Sequence, residues 1–344
     1  MSLRVGIVGA GRVGLARARK IKTYSDVEIT AVADPNRPNR DKLAGFSGAG
    51  LAVADHKRLV VDKNVDVVYI ASPPNTHRQV AVDALNAGKH VICEPPIAIS
   101  IGDAEAMIAA AIENNRRLLV ALSERYDPVN QEVYRLIEAD EIGFPFIVQV
   151  TYVENEFDRL NDWHDWKGTW DIAGGGILME RGSGILDLLC FLLGQVEGVN
   201  AVCTRFAIEP LNKAEDTCML GLEFKEDIGA YLLMTGAAQY SAWPPNFTGL
   251  GYRMEIFGLK GSIQVTNYEP RLAIVTKKQK RQEISGSEIR TSFPTDMLQD
   301  FIDCIREDKE PLVTAKDALY ALRLILAGYK ASRNKRRVEL LEEV

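Results

Sequence analysis

Histidine is scarce in this chain, and its few cysteines lie far apart. The 344 residues include four histidines and five cysteines, and no two cysteines form a Cys-x-x-Cys pair. Zinc sites need thiolate and imidazole ligands at close spacing, so we expect no metal site. Scattered cysteines favour reduced thiols in a cytoplasmic protein. They are Cys93, Cys190, Cys203, Cys218 and Cys304.

The chain also lacks an excess of positive charge. Lysine and arginine number 41 against 47 aspartates and glutamates, which gives a net charge of −6. Domains that bind nucleic acid usually carry a basic surface, so we expect no nucleic-acid partner. Two short basic runs, at residues 277–281 and 333–337, are interpreted as solvated surface.

Long hydrophobic runs are missing as well. No apolar stretch reaches the roughly 20 residues that a membrane-spanning helix needs. No apolar signal segment precedes the first strand-like run, so we expect no secretory signal. The sequence therefore predicts a cytoplasmic protein without a membrane partner.

The length and the order of apolar segments predict two domains. A chain of 344 residues is too long for one compact core. Residues 1–123 alternate short apolar strands with helical segments, which is typical of a parallel sheet covered on both faces. Residues 124–344 carry longer strands joined by tight turns, which indicates an α+β domain with a large, mostly antiparallel open sheet. Its last helices are amphipathic and are expected to pack back on the first domain.

The individual strands follow from the same apolar runs. In the first domain we predict strands at 3–8, 29–33, 67–70, 90–93 and 118–121. In the second domain we predict strands at 146–156, 199–206, 217–224, 228–235, 252–257, 262–265 and 272–276.

A Gly-x-Gly-x-x-Gly turn follows the first strand and opens a helix. In such a turn Gly9 permits the sharp bend, Gly11 lets the backbone approach a pyrophosphate, and Gly14 lets the helix pack against its strand. The phosphates then bind free N–H groups at the positive end of the helix dipole. This context predicts a dinucleotide-binding α/β Rossmann domain.

The carboxylate at the end of the second strand indicates which dinucleotide is bound. Asp34 lies about 20 residues beyond the glycine turn, where a carboxylate takes the ribose hydroxyls and repels a 2′-phosphate. Arg12 and Arg37 flank the site and leave NADP open. We expect NAD, with NADP as the less favoured alternative.

Eight short motifs occur in a fixed order along nearly the whole chain. They are Gly9–Gly14, Ala33–Pro35, Ser72–His77, Ala87–Glu94, Arg125–Pro128, Ala173–Gly176, Asp216–Thr217 and Pro311–Thr314. Each is weak alone, but the ordered set resembles the Gfo/Idh/MocA oxidoreductases, the group of glucose–fructose oxidoreductase and inositol dehydrogenase. The resemblance implies an NAD(P)-dependent dehydrogenase of a small molecule, with dimer or tetramer contacts through the C-terminal sheet.

The resemblance also implies a set of cofactor-binding residues. In the family, the loop that matches Pro74-Asn75 lies beside the nicotinamide. His77 starts the following helix and is either part of this site or a structural, capping histidine. The implied set is Gly9, Gly11, Arg12, Val13, Gly14, Asp34, Ser72, Pro73, Pro74, Asn75, His77 and Glu94.

Of the three polar groups that typical members use for chemistry, two are absent here and the third is one methylene longer. Typical members carry Glu-Lys-Pro where this chain has Glu94-Pro95-Pro96. They also carry Gly-Gly-Gly-x-x-x-Asp-x-Gly-x-His, in which this chain places Glu180 at the aspartate and Gly184 at the histidine. Proline has no ionisable group, and loss of one general base typically costs about 10²–10⁴-fold in rate.

Candidate replacements lie just before the triple glycine. Trp166-Lys167 matches a pair that lines the substrate pocket in the family, so Lys167 is a candidate ligand of a substrate hydroxyl or anion. His164 is a candidate base, or else loop surface, and the neighbouring tryptophans either form a wall for a sugar-like ring or are packing. We expect Glu180 to face the pocket. The candidate catalytic residues are therefore Glu180, Lys167 and His164.

The sequence leaves three functions open. The first is an NAD-dependent oxidoreductase acting on a sugar, inositol or related polyhydroxylated molecule, with a proton relay that differs from the family's. The second is a catalytically silent NAD-binding sensor or regulatory protein, which the absence of lysine at Pro95 and of histidine at Gly184 would explain. The third is a glycosidase that uses bound NAD transiently.

Overall fold

The structure is a computed structural model. It describes residues 2–162, 165–206, 213–239, 241, 249–268, 271–277, 280–285, 289, 291 and 293–340. The chain divides into two compact units. The first contains Met1–Leu122 and Asp296–Leu322, and the second contains Ser123–Thr295 and Arg323–Val344. Residues 296–322, which the sequence placed among the C-terminal helices, are therefore grouped with the first unit.

The first unit is built on a parallel sheet of six strands in the order β3-β2-β1-β4-β5-β6. The strand order reverses between β1 and β4, the position at which open α/β sheets form a crevice at the carboxyl ends of their strands. The strands are β1 (Leu3–Val8), β2 (Val27–Ala33), β3 (Leu51–Val53), β4 (Val67–Ile70), β5 (His90–Cys93) and β6 (Leu118–Val120).

Helices cover this sheet, and every residue of β4 is buried as a result. The last of these helices, α10, buries Leu298, Phe301 and Ile302 in the core of the first unit. The helices are α1 (Arg12–Ile21), α2 (Arg37–Ser47), α3 (His56–Val60), α4 (His77–Asn86), α5 (Ile101–Glu113) and α10 (Met297–Glu307).

The second unit contains a sheet of nine strands in the order β14-β13-β12-β11-β7-β10-β9-β8-β15. All neighbouring pairs are antiparallel except β7 and β10, which run parallel. The strands are β7 (Pro145–Glu154), β8 (Val196–Thr204), β9 (Thr217–Phe224), β10 (Gly229–Thr235), β11 (Leu250–Gly258), β12 (Gly261–Thr266), β13 (Leu272–Thr276), β14 (Gln282–Glu283) and β15 (Val338–Glu339).

One face of this sheet packs against helices, most closely against α9, of whose 17 residues 12 are buried. The helices of the second unit are α6 (Pro128–Glu138), α7 (Phe157–Asn161), α8 (Trp170–Ala173) and α9 (Ile177–Leu193). Helix α11 (Ala315–Asn334) belongs to both units, since the division falls within it.

The structure confirms the predicted fold class of a Rossmann-type parallel sheet followed by a larger, mostly antiparallel sheet. Several features differ from the prediction in detail, among them the two-residue strands β14 and β15, which were not predicted. Strand β3 was not predicted, because three residues make too short an apolar run to stand out. The parallel pairing of β7 with β10 was not predicted either, because apolar patterns report which residues form strands and not how the strands pair.

Candidate active site

The glycine turn has the geometry that a bound dinucleotide requires. Gly9 adopts a φ of +98°, and a Cβ there would meet the backbone of Ala71 and Ser72. A Cβ at Gly14 would overlap the carbonyl oxygen of Gly9, so the helix can approach the turn only without a side chain. Both positions therefore require glycine for the reasons that the sequence predicts.

The second glycine of the motif borders open space. A Cβ at Gly11 would meet no atom within 4 Å. Helix α1 starts at Arg12 without a side-chain cap and without an acidic residue in its first turn. The N–H groups at this helix end are therefore suited to an anion, and the cradle fits the pyrophosphate of a dinucleotide.

Asp34 is fixed beside this turn by the backbone. Its Oδ2 accepts a hydrogen bond from the Ala10 N–H at 2.6 Å, and its Oδ1 accepts one from the Asn36 N–H at 2.7 Å. Arg37 is far more exposed and pairs with Asp41 at 3.4 Å. The Arg40 guanidinium donates to the Asp34 carbonyl at 2.8 Å. The fixed carboxylate of Asp34 suits ribose hydroxyls and disfavours a 2′-phosphate.

The buried imidazole of His77 contacts the loop that follows β4. The imidazole is only 1% exposed, and its Nε2 and Nδ1 lie 2.9 Å from the Ser72 carbonyl and 3.0 Å from the Pro96 carbonyl. Ser72 also exchanges a hydroxyl contact of 2.7 Å with Thr76. Burial lowers the pKa of His77, and its contacts with backbone carbonyls oppose this shift. Its contacts join the loops that follow β4 and β5.

Glu94, at the end of β5, is engaged by two neighbours. Arg17 of α1 donates to both carboxylate oxygens, at 2.6 and 3.0 Å, and the Tyr69 hydroxyl donates at 2.6 Å. Burial raises the pKa of Tyr69, so the phenol keeps its proton. Glu94 therefore fixes the start of the Pro95–Pro96 segment, in which no side chain can carry a proton.

In the second unit, Glu180 and Lys167 come together. Glu180 lies in the first turn of α9, and its Oε1 pairs with the Lys167 ammonium. Its Oε2 accepts a hydrogen bond from Arg159 at 3.0 Å. The side chains of Glu180 and Lys167 are each 20% exposed, which leaves the pair partly accessible to a ligand.

Arg181 extends this arrangement to strand β7. Its guanidinium donates to both oxygens of Glu154, at 2.9 and 2.7 Å. The Tyr152 hydroxyl donates to the same carboxylate at 3.0 Å, and Arg159 pairs with Glu156. Three carboxylates and three cationic side chains thus form what we call the charged cluster: Glu154, Glu156, Arg159, Lys167, Glu180 and Arg181.

The charged cluster makes Glu180 a weak base. Burial alone would raise the pKa of its carboxyl, but the charges of Lys167, Arg159 and Arg181 outweigh burial and lower it. A carboxylate in this state holds cations and hydroxyl donors well and takes up a proton poorly. Sequence reasoning placed Glu180 at the pocket without finding Arg159, which lies 21 residues away in the short helix α7.

The third predicted catalytic residue, His164, lies outside the described residues, as does Trp163. Trp170 is 46% exposed and contacts the Tyr329 ring edge-on at a centroid distance of 5.0 Å. Within the described ranges, no group of three or more His, Cys, Asp or Glu side chains is arranged to hold a metal ion.

Sequence reasoning missed Glu215, which caps the long helix α9. Its carboxylate accepts hydrogen bonds from the N–H groups of Gly176 and Leu178 at 3.1 and 3.0 Å, and from the Tyr329 hydroxyl at 2.8 Å. Burial raises the pKa of Glu215 to about 7 against these hydrogen bonds. The only signal in sequence was its place directly before the motif Asp216-Thr217.

Sequence reasoning also missed Glu124. A Cβ atom at Gly184 would overlap the carboxyl group of Glu124, so this carboxyl fills the space where a side chain at residue 184 would start. Glu124 lies in a 3₁₀ turn, Glu124–Tyr126, at the start of the second unit. Its signal in sequence was its position directly before the motif Arg125–Pro128.

A buried ion pair holds this turn against α9. Arg125 donates to both oxygens of Asp187, at 2.8 and 2.5 Å. The two side chains are 11% and 1% exposed. The guanidinium also lies 5.1 Å from the centroid of the Phe191 ring. The sequence assigned no chemical role to Asp187. Through its ion pair with Arg125, Asp187 fixes the turn that carries Glu124.

A glycine turn on a parallel sheet, with a separate unit that carries an accessible charged cluster, defines a dinucleotide-dependent oxidoreductase of two units. Residues 3–122 match the family model described as oxidoreductase family, NAD-binding Rossmann fold, and residues 135–340 match that described as oxidoreductase family, C-terminal alpha/beta domain. The chain belongs to the Gfo/Idh/MocA oxidoreductase family, as the ordered motifs predict, and its first domain is an NAD-binding domain.

Curated relatives cover nearly the whole chain. Myo-inositol 2-dehydrogenase of Thermotoga maritima is 26% identical over 353 residues, which is 99% of this chain and 100% of the relative. The scyllo-inositol 2-dehydrogenase (NAD(+)) of Bacillus subtilis is 26% identical over 347 residues, 98% of this chain and 96% of the relative.

Solved structures share the fold over the same length. The WlbA dehydrogenase from Bordetella pertussis, in complex with NADH and UDP-GlcNAcA, superposes with a TM-score of 0.86 at 26% identity and full coverage of both chains. Levoglucosan dehydrogenase in complex with NADH superposes with a TM-score of 0.87 at 22% identity, again over both whole chains. No helix among the described residues is long and apolar enough to span a membrane.

Proposed function

We propose that the protein is a dehydrogenase that oxidises a secondary hydroxyl of an inositol or a related sugar with NAD⁺. The observation that carries the proposal is an intact cofactor cradle, Gly9–Gly14 with Asp34, in a chain related along its whole length to two inositol 2-dehydrogenases. Asp34 favours NAD over NADP, because its carboxylate would repel a 2′-phosphate.

The cofactor residues divide into those that contact NAD and those that support them. The N–H groups of Gly11, Arg12 and Val13 bind the pyrophosphate, and Asp34 binds the ribose. Ser72, Pro73, Pro74 and Asn75 form the loop beside the nicotinamide. His77 and Glu94 support the loops that follow β4 and β5 through their buried contacts. Bound NAD⁺ supplies a hydride acceptor at this place.

The charged cluster binds the substrate. Lys167 and Glu180 are each 20% exposed and offer a donor and an acceptor to neighbouring hydroxyls of a polyol. Among the described residues, Arg159 Nη1 is buried without a hydrogen-bond partner, so it is a third donor for a substrate oxygen. His164 remains a candidate from the sequence for the same pocket.

The test is NADH formation, measured by absorbance with NAD⁺ and a panel of myo-inositol, scyllo-inositol, hexoses and sugar acids. Turnover of at least one polyol supports the proposal, and the Lys167→Ala variant raises KM for that polyol. The control Lys316→Ala changes a lysine of the first unit outside the cradle and leaves KM unchanged. NADH binding without any turnover would favour the sensor alternative, since Pro95 and Gly184 remove two family side chains. Release of a sugar without net NADH would favour the glycosidase.

We further propose that the protein forms a homodimer or homotetramer through the free face of the second sheet. Large apolar side chains stand on that face in neighbouring strands and are 38–50% exposed. A contiguous apolar face of this kind is typical of a subunit interface. Its members are Ile147, Val202, Met219 and Tyr231. The cytoplasmic location expected from the sequence stays a prediction.

A further inference from the structure

The space at Gly184 is occupied by an acid. The resemblance to the family implies that residue 184 is where typical members carry a catalytic histidine, and in this chain the position is glycine. A Cβ there would overlap the carboxyl carbon and both carboxyl oxygens of Glu124. Glycine at 184 is therefore what allows Glu124 to lie against α9.

The backbone that carries Glu124 is held from several directions. The Glu124 carbonyl accepts a hydrogen bond from Asn130 at 2.9 Å, and the Arg125 carbonyl accepts one from Gln131 at 3.0 Å. Arg125 itself is clamped by the buried Asp187 on α9. These contacts fix the backbone that carries Glu124, and a proton acceptor needs a fixed attachment of this kind.

The surroundings of Glu124 suit a group that exchanges a proton. Burial raises the pKa of its carboxyl, the backbone amides of Glu124 and Ser123 oppose this, Asp127 adds to it and Arg181 opposes it. The Tyr252 phenol keeps its proton, because burial and the charge of Glu124 raise its pKa. Glu180 differs from Glu124, since three cations hold it as a carboxylate.

We infer that Glu124 is the general base of the proposed dehydrogenase and takes over the role of the side chain missing at residue 184. In the oxidation the substrate C–H bond breaks, and bound NAD⁺ would supply the acceptor for the hydride, which carries both electrons of that bond. The O–H bond breaks at the same carbon, its proton passes to a carboxylate oxygen of Glu124, and the C=O bond forms. In the reverse reaction, the protonated Glu124 donates to the carbonyl oxygen. This inference rests on the proposed function.

The test compares Glu124→Gln with wild type in steady-state NADH formation from pH 4.5 to 9 on the best polyol of the panel. The amide keeps the size of the side chain and cannot accept the proton, so kcat/KM is expected to fall by about 10²–10⁴-fold. The wild-type profile rises with pH through an ionisation above the ordinary pKa of glutamate, because only the carboxylate accepts a proton. That acidic limb disappears in Glu124→Gln.

Controls separate chemistry from folding. Glu138→Gln removes an exposed acid from α6, close by in sequence, and is expected to leave the rate and the pH profile unchanged. Thermal unfolding and fluorescence titration with NADH show whether Glu124→Gln is folded and binds the cofactor. If Glu124→Gln does not fold, Glu124→Asp keeps a carboxylate in the turn and is expected to shift the acidic limb and lower kcat more than it changes KM.

The outcomes are distinct. A wild type that turns over and a folded Glu124→Gln that retains at least a third of the rate with the same pH profile would overturn the inference and leave the proposed function standing. A wild type that binds NADH and turns over no polyol in either direction would overturn the proposed function, and the assignment of Glu124 with it.

Discussion

Replacing Gly184 with alanine is expected to destabilise the fold, whereas a glycine-to-alanine change within a helix usually stabilises it. In an open helix position such as Gly45, where a Cβ would meet nothing within 4 Å, alanine is expected to stabilise the fold by about 0.5–1 kcal/mol. At Gly184 the new Cβ overlaps the Glu124 carboxyl, so this carboxyl must turn away from α9, and overpacking of this kind costs about 1–3 kcal/mol. Gly184→Ala should therefore lower the free energy of unfolding by roughly 1–2 kcal/mol.

The change should depend on Glu124 alone. In a Glu124→Ala background the obstructing carboxyl is gone, so Gly184→Ala should become neutral or stabilising. The difference between the two backgrounds is a coupling of about 1.5–3 kcal/mol, which urea unfolding followed by circular dichroism can measure in a double-mutant cycle. If Gly184→Ala stabilises the wild type as much as Gly45→Ala does, Glu124 does not occupy this space and the reasoning fails.

Three other predictions follow from the described contacts. Asp34→Ala should weaken the preference for NADH: the ratio of the NADPH Kd to the NADH Kd, measured by fluorescence titration, should fall by about tenfold or more. Asp41→Ala, a change at an exposed carboxylate, should leave this ratio unchanged. Folding raises the pKa of Glu215 from 4.5 to about 7, so the folded protein binds a proton that the unfolded chain releases. The free energy of unfolding should therefore fall by up to about 3 kcal/mol as the pH rises from about 4.5 to about 7. Glu215→Gln should flatten this slope, and an unchanged slope would exclude Glu215 as its source. Tyr231→Glu should dissociate the oligomer in light scattering, whereas Leu259→Glu, on an exposed turn, should not.

The fold was predictable from the sequence wherever one element decides its own structure. The turn Gly9–Gly14 dictates its backbone through local sterics, and apolar runs such as 217–224 form strands of the predicted length. Pairing between distant strands follows from tertiary packing, which is why the parallel contact of β7 with β10 could not be predicted from the pattern alone.

The candidate site was predictable only in part, because its partners are far apart in sequence. Glu180 and Lys167 were predicted from matching motifs, but the effect of Arg159 on Glu180 appears only when α7 and α9 are placed together. The sequence likewise shows the side chain that is missing at Gly184 and gives no indication that Glu124, 60 residues earlier, fills its space.

The central claim is that this chain transfers a hydride from a polyol to NAD⁺, and isotope transfer tests it most directly. Purified protein is incubated with NAD⁺ and myo-inositol deuterated at its ring carbons, alongside the other polyols of the panel in deuterated form, and the cofactor is analysed by mass spectrometry. The account predicts reduced cofactor that carries one deuterium per molecule, and much slower transfer by Glu124→Gln. Retention of NAD⁺ without label from any deuterated polyol, by a folded protein that binds NADH, would contradict the account.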